Sequence, residues 1–305
     1  MLGGSTKNGA INSALLSNGV SMFSQRRPKV VLIPFLLLFS LCSTSLAQAA
    51  TKSPAPMTPS QMAKMDHSST MATPIAQASP APGGGTFLYQ SIPTEVLNTA
   101  LFDTNGKKIS LAMLKGRTIV IADFLTSCQE ICPMTSANMR TIGDVVAASK
   151  SRNKVTVLEV SVDPWRDSAT RLKAYQNLFG DTNWIIAGGS QPNLKKFWDY
   201  FGASVEKITY SASDLKGLPV DWQTGKKNTF DVNHTDEIVI VGPKSNWVWL
   251  DLGTPNDGKA ILPIKLKAFL DAQGISNLAK PEEPSWTPRA VYSALNILLK
   301  TKIGA

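Results

Sequence analysis

Apolar positions along the chain fall into a few short runs, and their spacing changes twice. The first run, Val30 to Leu41, is almost unbroken, stands behind Arg26-Arg27-Pro28-Lys29, and is followed by the small residues Ala47-Gln48-Ala49. This is the layout of a secretory signal over residues 1–49, which implies a periplasmic destination in a bacterium. The run is shorter than the ~20 residues that a spanning helix needs. An uncleaved anchor in the inner membrane, with the rest of the chain facing the periplasm, is the alternative. Residues 50–85 are rich in Ala, Pro, Ser, Thr and Met and carry too few large apolar residues to bury a core, so they read as a disordered linker.

From Thr86 the pattern becomes that of a folded domain. Phe102 to Ile109 reads as a hairpin with Asn105-Gly106 at its turn. Ile119 to Phe124 is a continuous run suited to a central strand buried on both faces. Pro133 opens a helix that extends to about Ser149, and Lys154 to Val162 is a second strand rich in β-branched residues. Asp167-Ser168 caps a helix that runs through Phe179, with Leu172, Tyr175 and Phe179 on one face. A short strand at Trp184 to Ala187 and a helix from Gln191 to Phe201 come next. Ile238 to Val241 then pairs with Trp247 to Leu252, and a last helix is expected from Pro263 to Gln273. Strands alternating with helices, closed by a hairpin and a helix, predict an α/β thioredoxin-like order. The domain would span residues 86–280, with a central mixed sheet flanked by helices and a polar inserted loop from about Tyr210 to Thr229 ahead of His234. Residues 281–305 read as a C-terminal tail, Pro-rich and then weakly helical, with no assigned role.

The chemistry concentrates where the run ending at Phe124 breaks, at Thr126-Ser127-Cys128-Gln129-Glu130-Ile131-Cys132-Pro133. A strand end followed by a helix N-terminus exposes unpaired N–H groups and the positive end of the helix dipole, both of which favour thiolate. Glu130 opposes them. Two nearby cysteines in an exported protein form a structural disulfide by default. A bridge closing so short a loop would, however, constrain the unfolded chain little. The remaining readings are a redox-active dithiol and a pair of thiolate metal ligands.

Only three cysteines and two histidines are present. Cys42 lies within the signal, so Cys128 and Cys132 are the thiols of the processed chain, and His234 is the imidazole of the folded domain. Two thiolates and an imidazole form a soft set that favours Cu(I), and oxidation of the dithiol would remove two ligands together. Asp163, at the end of a neighbouring strand, is a candidate to accept a hydrogen bond from a metal ligand or to serve as an oxygen ligand for Cu(II), or else a plain turn residue before Pro164. In the linker, Met57, Met62, Met65, His67 and Met71 form a thioether and imidazole tract that could serve as an accessory copper site.

Charge changes the picture little. The net charge is +9, and removing Lys7, Arg26, Arg27 and Lys29 with the signal leaves about +5. The remaining cations are scattered and lack the aromatic interleaving of a nucleic-acid surface, so no nucleic-acid partner is expected.

The folded part resembles the Sco/SenC family of copper-handling proteins. The resemblance is carried by Thr126 to Pro133, by Ser161-Val162-Asp163-Pro164-Trp165-Arg166-Asp167-Ser168 with Leu172 and Tyr175, and by Asp231-Val232-Asn233-His234-Thr235. It implies a thioredoxin-like fold in which Cys128, Cys132 and His234 hold one copper ion. Family members commonly have proline after the first cysteine, where this chain has Gln129. The function implied is a periplasmic metallochaperone that delivers copper to the dinuclear centre of cytochrome c oxidase. Its partners would be the copper-bearing oxidase subunit, or another periplasmic copper protein, and a periplasmic thiol reductant. The alternative is an enzyme, a thiol-disulfide oxidoreductase whose catalytic residues Cys128 and Cys132 reduce a metal-receiving partner.

Overall fold

The computed structural model describes residues 78–180, 183–210, 219–256 and 261–304. Its strands in chain order are β1 (Ser79–Pro80), β2 (Thr86–Ser91), β3 (Leu101–Asp103), β4 (Lys108–Ile109), β5 (Thr118–Phe124), β6 (Val155–Ser161), β7 (Ile185–Gly189), β8 (Val205–Thr209), β9 (Phe230–His234), β10 (Glu237–Val241), β11 (Asn246–Leu252), β12 (Thr254–Pro255) and β13 (Ser285–Trp286). The helices are α1 (Thr94–Leu97), α2 (Cys132–Ala148), α3 (Ala169–Leu178), α4 (Gln191–Phe201), α5 (Ile264–Lys267), α6 (Ala272–Ala279) and α7 (Pro288–Leu299).

Among the described residues nine strands form one mixed sheet in the order β1-β2-β11-β10-β5-β6-β7-β3-β4. Its centre is parallel, with β5 on β6 and β6 on β7, and β10 runs antiparallel beside β5. Every residue of β5 and β6 is buried, so their β-branched side chains fill the core on both faces. Full burial of one such side chain contributes roughly 1.5–3 kcal/mol. Helix α2 packs on β5 and β6, and α3 packs on β7. The result is a thioredoxin-like sandwich in which β5 delivers the chain directly to the N-terminus of α2.

The β3–β4 hairpin forms as expected, with Gly106 at φ +75° and the Asp103 carboxylate accepting from the Asn105 and Lys107 N–H groups. Other expectations need correction. The helix expected from Pro263 to Gln273 is two helices, because Asp271 leaves the first and caps the second by accepting from Gly274 N at 2.8 Å. The strand expected at Trp184 to Ala187 lies one residue further on and extends to Gly189. The sheet begins at Ser79, inside the stretch read as linker, and the weakly helical tail contains a well-formed, docked helix at residues 288–299. Thr287 caps α7, whose Val291, Ala294 and Leu295 are fully buried, and the helix packs on α2.

The inserted region before His234 is bounded by two strands that the pattern did not announce. β8 and β9 form an antiparallel ribbon running from Val205 opposite His234 to Thr209 opposite Phe230. No helix among the described residues is long and apolar enough to cross a membrane. The signal and the Met57, Met62, Met65, His67 and Met71 tract lie outside the described residues.

Candidate metal centre

Cys128 lies on the loop between β5 and α2, and Cys132 is the first residue of α2, with Pro133 in the first turn. The loop folds around sulfur. The N–H groups of Ile131 and Cys132 both point at Cys128 Sγ at 3.4 Å, and Leu125 N–H points at Cys132 Sγ at 3.5 Å. Both cysteines are free. Their acidities are pulled apart. The hydrogen bond from the Cys132 side chain lowers the Cys128 pKa against its burial, with help from the two backbone N–H groups. Burial, reinforced by Cys128, pushes the Cys132 thiol well above the usual range. Cys128 is the favoured thiolate, and Cys132 the thiol that donates to it.

His234, the last residue of β9, reaches this pair from the other side. Its Nε2 lies 3.6 Å from Cys132 Sγ. The ring is held from behind, where Nδ1 meets Asp123 Oδ2 at 2.8 Å and Thr235 O at 3.1 Å. Asp123 occupies the last turn of the buried strand β5, and its second oxygen accepts from Glu237 N–H at 3.0 Å. A carboxylate behind Nδ1 keeps the proton on that nitrogen and presents Nε2 to the sulfurs. Burial lowers the imidazole pKa, but Asp123 outweighs it and raises the ring to about 10. Without metal His234 is therefore an imidazolium. Burial also pushes Asp236 up to about 6 and Glu237 to about 9.

Cys128 and His234 line a small cleft of about 160 Å³ together with Glu130, Ile208, Asp231, Asp236 and Asp271, and Cys132 is buried beneath it. Burial, then Asp271 and Asp231, raises the Glu130 carboxyl. A larger cleft of about 860 Å³, lined by Thr141, Arg289, Tyr292 and Lys302 among others, contains none of the candidate ligands. Two sulfurs and an imidazole nitrogen, with the imidazole aimed by a carboxylate, form a donor set that fits a soft monovalent ion.

Asp163 does not take part in this arrangement. Its carboxylate pairs with Arg166 and accepts from the Trp165 and Arg166 N–H groups at 3.2 and 3.1 Å, which is the turn role. The aspartate behind the histidine is Asp123. Its signal in the sequence was a lone carboxylate inside a strand expected to be buried on both faces. Asp167, expected at a helix start, has a wider role, and the cap itself is Ser168. Asp167 accepts from Thr126 Oγ1 and Ser161 Oγ and faces Arg171, which in turn donates to Thr126 and Ser127 and pairs with Asp221 of the insertion. Trp222 Nε1 donates to Thr126 O at 2.6 Å. A buried polar network thus clamps the residues just before Cys128.

Gln129, standing where proline is common, is also engaged. Its amide donates to Phe269 O, and its carbonyl accepts from Asp271 N–H. A Cβ on Gly274 would fall 2.0 Å from that carbonyl, so only glycine allows α6 to approach the loop this closely.

A free cysteine pair at the strand-to-helix turn of a mixed sheet, faced by a histidine from a separate ribbon, defines a thioredoxin-like dithiol protein with an added imidazole. The particular family follows from the sequence match: the SCO1/SenC pattern covers residues 97–257, more than half of the chain, and the protein belongs to that family. The SCO1 protein homolog of Bacillus subtilis (strain 168) is 32% identical over 119 residues, which is 37% of this chain and 60% of the relative. ScoI of Bradyrhizobium japonicum with copper bound is 23% identical over 56% of this chain and 97% of that one, with a TM-score of 0.40. BsSco, described as a member of the Sco family of cytochrome c oxidase assembly proteins with a disulfide switch, is 23% identical over 53% of this chain and 82% of that one, with a TM-score of 0.36. The chain spans about three-fifths of the length of the curated relatives it matches, 62% and 60% for two of them.

Proposed function

We infer that the protein carries Cu(I) on Cys128, Cys132 and His234 and delivers it, outside the cytoplasm, to the dinuclear copper centre of a cytochrome c oxidase. The observation that carries this reading is the approach of His234 Nε2 to Cys132 Sγ at 3.6 Å, across 102 residues of sequence. Dithiol exchange needs no imidazole, whereas a three-ligand soft metal site uses one as its third donor. Family membership supports both copper and the oxidase as client. Copper is cargo here. Loading displaces the protons of Cys132 and of His234 Nε2, while Nδ1 keeps its proton on Asp123. Release proceeds by stepwise exchange of these soft ligands for those of the partner.

The test is a Cu(I) competition titration of the reduced full chain beside His234→Ala and Cys128→Ser/Cys132→Ser. Tight one-to-one binding weakened by each change supports the reading. If His234→Ala binds as tightly as the parent, the three-ligand site is wrong.

The opposed acidities of Cys128 and Cys132 favour a second reading, thiol-disulfide exchange. The Cys128 thiolate would attack a partner disulfide and form a mixed disulfide. Cys132, losing its proton, would then displace the second partner thiol. The partner gains two electrons, one proton from Cys132 and a second from water, and this protein is left as the Cys128–Cys132 disulfide until a thiol reductant restores it. A reduced chain that leaves partner disulfides intact excludes this reading.

A further inference from the structure

His234 offers two ring nitrogens, and the centre described above uses one. Behind the ring, Nδ1 lies 2.8 Å from Asp123 Oδ2 and 3.9 Å from Asp236 Oδ1. One donor atom from each of these three residues lies within 4.8 Å of the other two. Glu237 adjoins the same group. It is 3% exposed, its N–H donates to Asp123 Oδ1, its charge interactions are with Asp123 and His234, and its buried Oε1 has no hydrogen-bond partner. Among the described residues, no lysine or arginine forms an ion pair with Asp123, Asp236 or Glu237; His234 is the one cation that does. Three largely buried carboxylates thus share a single imidazole. Such a group is compensated either by protons or by a cation.

The geometry points to a second metal site on this far side of the ring, which takes one divalent first-row ion such as Zn(II) or Cu(II) on His234 Nδ1, Asp123 and Asp236, with the buried, unpartnered oxygen of Glu237 adding negative charge beside it. The donor chemistry selects the ion. Carboxylates with an imidazole suit Zn(II) and Cu(II), whereas Cu(I) prefers the sulfurs and Mg(II) or Ca(II) an all-oxygen shell. Binding at Nδ1 displaces the proton there and leaves the one on Nε2, and a neutral ring carries one proton and offers one lone pair. An imidazole that holds a divalent ion on Nδ1 therefore withdraws Nε2 from the sulfurs. The two sites alternate through one side chain.

The full chain carrying Cys128→Ser/Cys132→Ser, with His67→Ala to remove the other histidine, is titrated calorimetrically with zinc chloride. One zinc ion per chain is expected. Asp123→Asn and Asp236→Asn in this background should each weaken it by about 10-fold or more. If the parent takes up no zinc, or if both asparagine variants bind as tightly as it does, protons balance the cluster and the site is rejected. Should Asp123→Asn unfold, as a thermal melt would reveal, Asp236→Asn carries the test, because the Asp236 side chain is 23% exposed and has no structural hydrogen bond to lose. The outcome is independent of cuprous binding: this background lacks the thiols, and failure of the copper reading appears in the wild-type titration instead.

Discussion

The two halves of the metal centre are built on opposite principles. The cysteine half sits inside a buried polar network, where Asp167, Arg171 and Asp221 converge on Thr126 and Ser127 and Trp222 closes over the loop. The histidine half is a two-stranded ribbon. All of β8 is exposed, and β9 buries only Val232. The ribbon is joined to the core by Asp123 at one end, and at the other by the Arg166 hydrogen bond to Phe230 O and by Lys207 over the Trp165 ring at 5.1 Å. Sulfur is held rigidly, and the imidazole is brought to it on a light arm. Stability should therefore reside in the first half, and control of ligation in the second.

The sharpest way to break this contrast is Arg171→Met. Removing the one cation from between two carboxylates leaves them buried and unpaired, and breaking such a pair typically costs ~3–5 kcal/mol. Urea denaturation should show a loss of that size; a loss below about 1 kcal/mol would mean that the network does not hold the loop. Next in size is Asp123→Asn. It should leave the thiols accessible but weaken Cu(I) binding by about 10–100-fold, the usual effect of removing a carboxylate behind a ligating histidine. An unchanged cuprous affinity would move the control of ligation elsewhere.

The third prediction is a pH dependence. The His234 pKa is raised from 6.5 to about 10 in the folded chain, so the imidazolium's contribution to stability is fully present below about pH 6.5 and is lost as pH rises through about 10. The metal-free melting temperature should fall across that window, and His234→Ala should flatten the fall. Cuprous affinity should rise over the same window, because the ion competes with the Nε2 proton. The smallest effect belongs to the Phe230 end of the ribbon, where Lys207→Ala should cost only ~0.5–1 kcal/mol in stability, the scale of an exposed cation over a ring.

The same contrast explains what could be read from sequence. β5, the Cys128 turn and α2 were legible because their signals are local, comprising a β-branched run, a proline in the first helical turn and a hairpin with Asn-Gly. His234 was found by scarcity and by resemblance. The ribbon that carries it was not, since β8 alternates nothing and buries nothing, and its pairing with β9 is made across the insertion. Asp163 was chosen for its place at the end of a neighbouring strand, yet the aspartate behind the ring is Asp123, hidden in an apolar run whose one charge went unweighed. The C-terminal tail was read as weakly helical, and its docking was not foreseen although Val291, Ala294 and Leu295 recur at helical spacing. A segment outside the expected domain drew no search for a face to bury.

The central claim is that one Cu(I) ion meets both sulfurs and the imidazole. X-ray absorption at the copper edge of the Cu(I)-loaded full chain, with the Met57, Met62, Met65 and Met71 thioethers changed to leucine, tests it most directly. The account predicts two sulfur scatterers and one imidazole nitrogen, with the nitrogen lost in His234→Ala. A sulfur-only shell in the parent, or an unchanged nitrogen signal in His234→Ala, would contradict it.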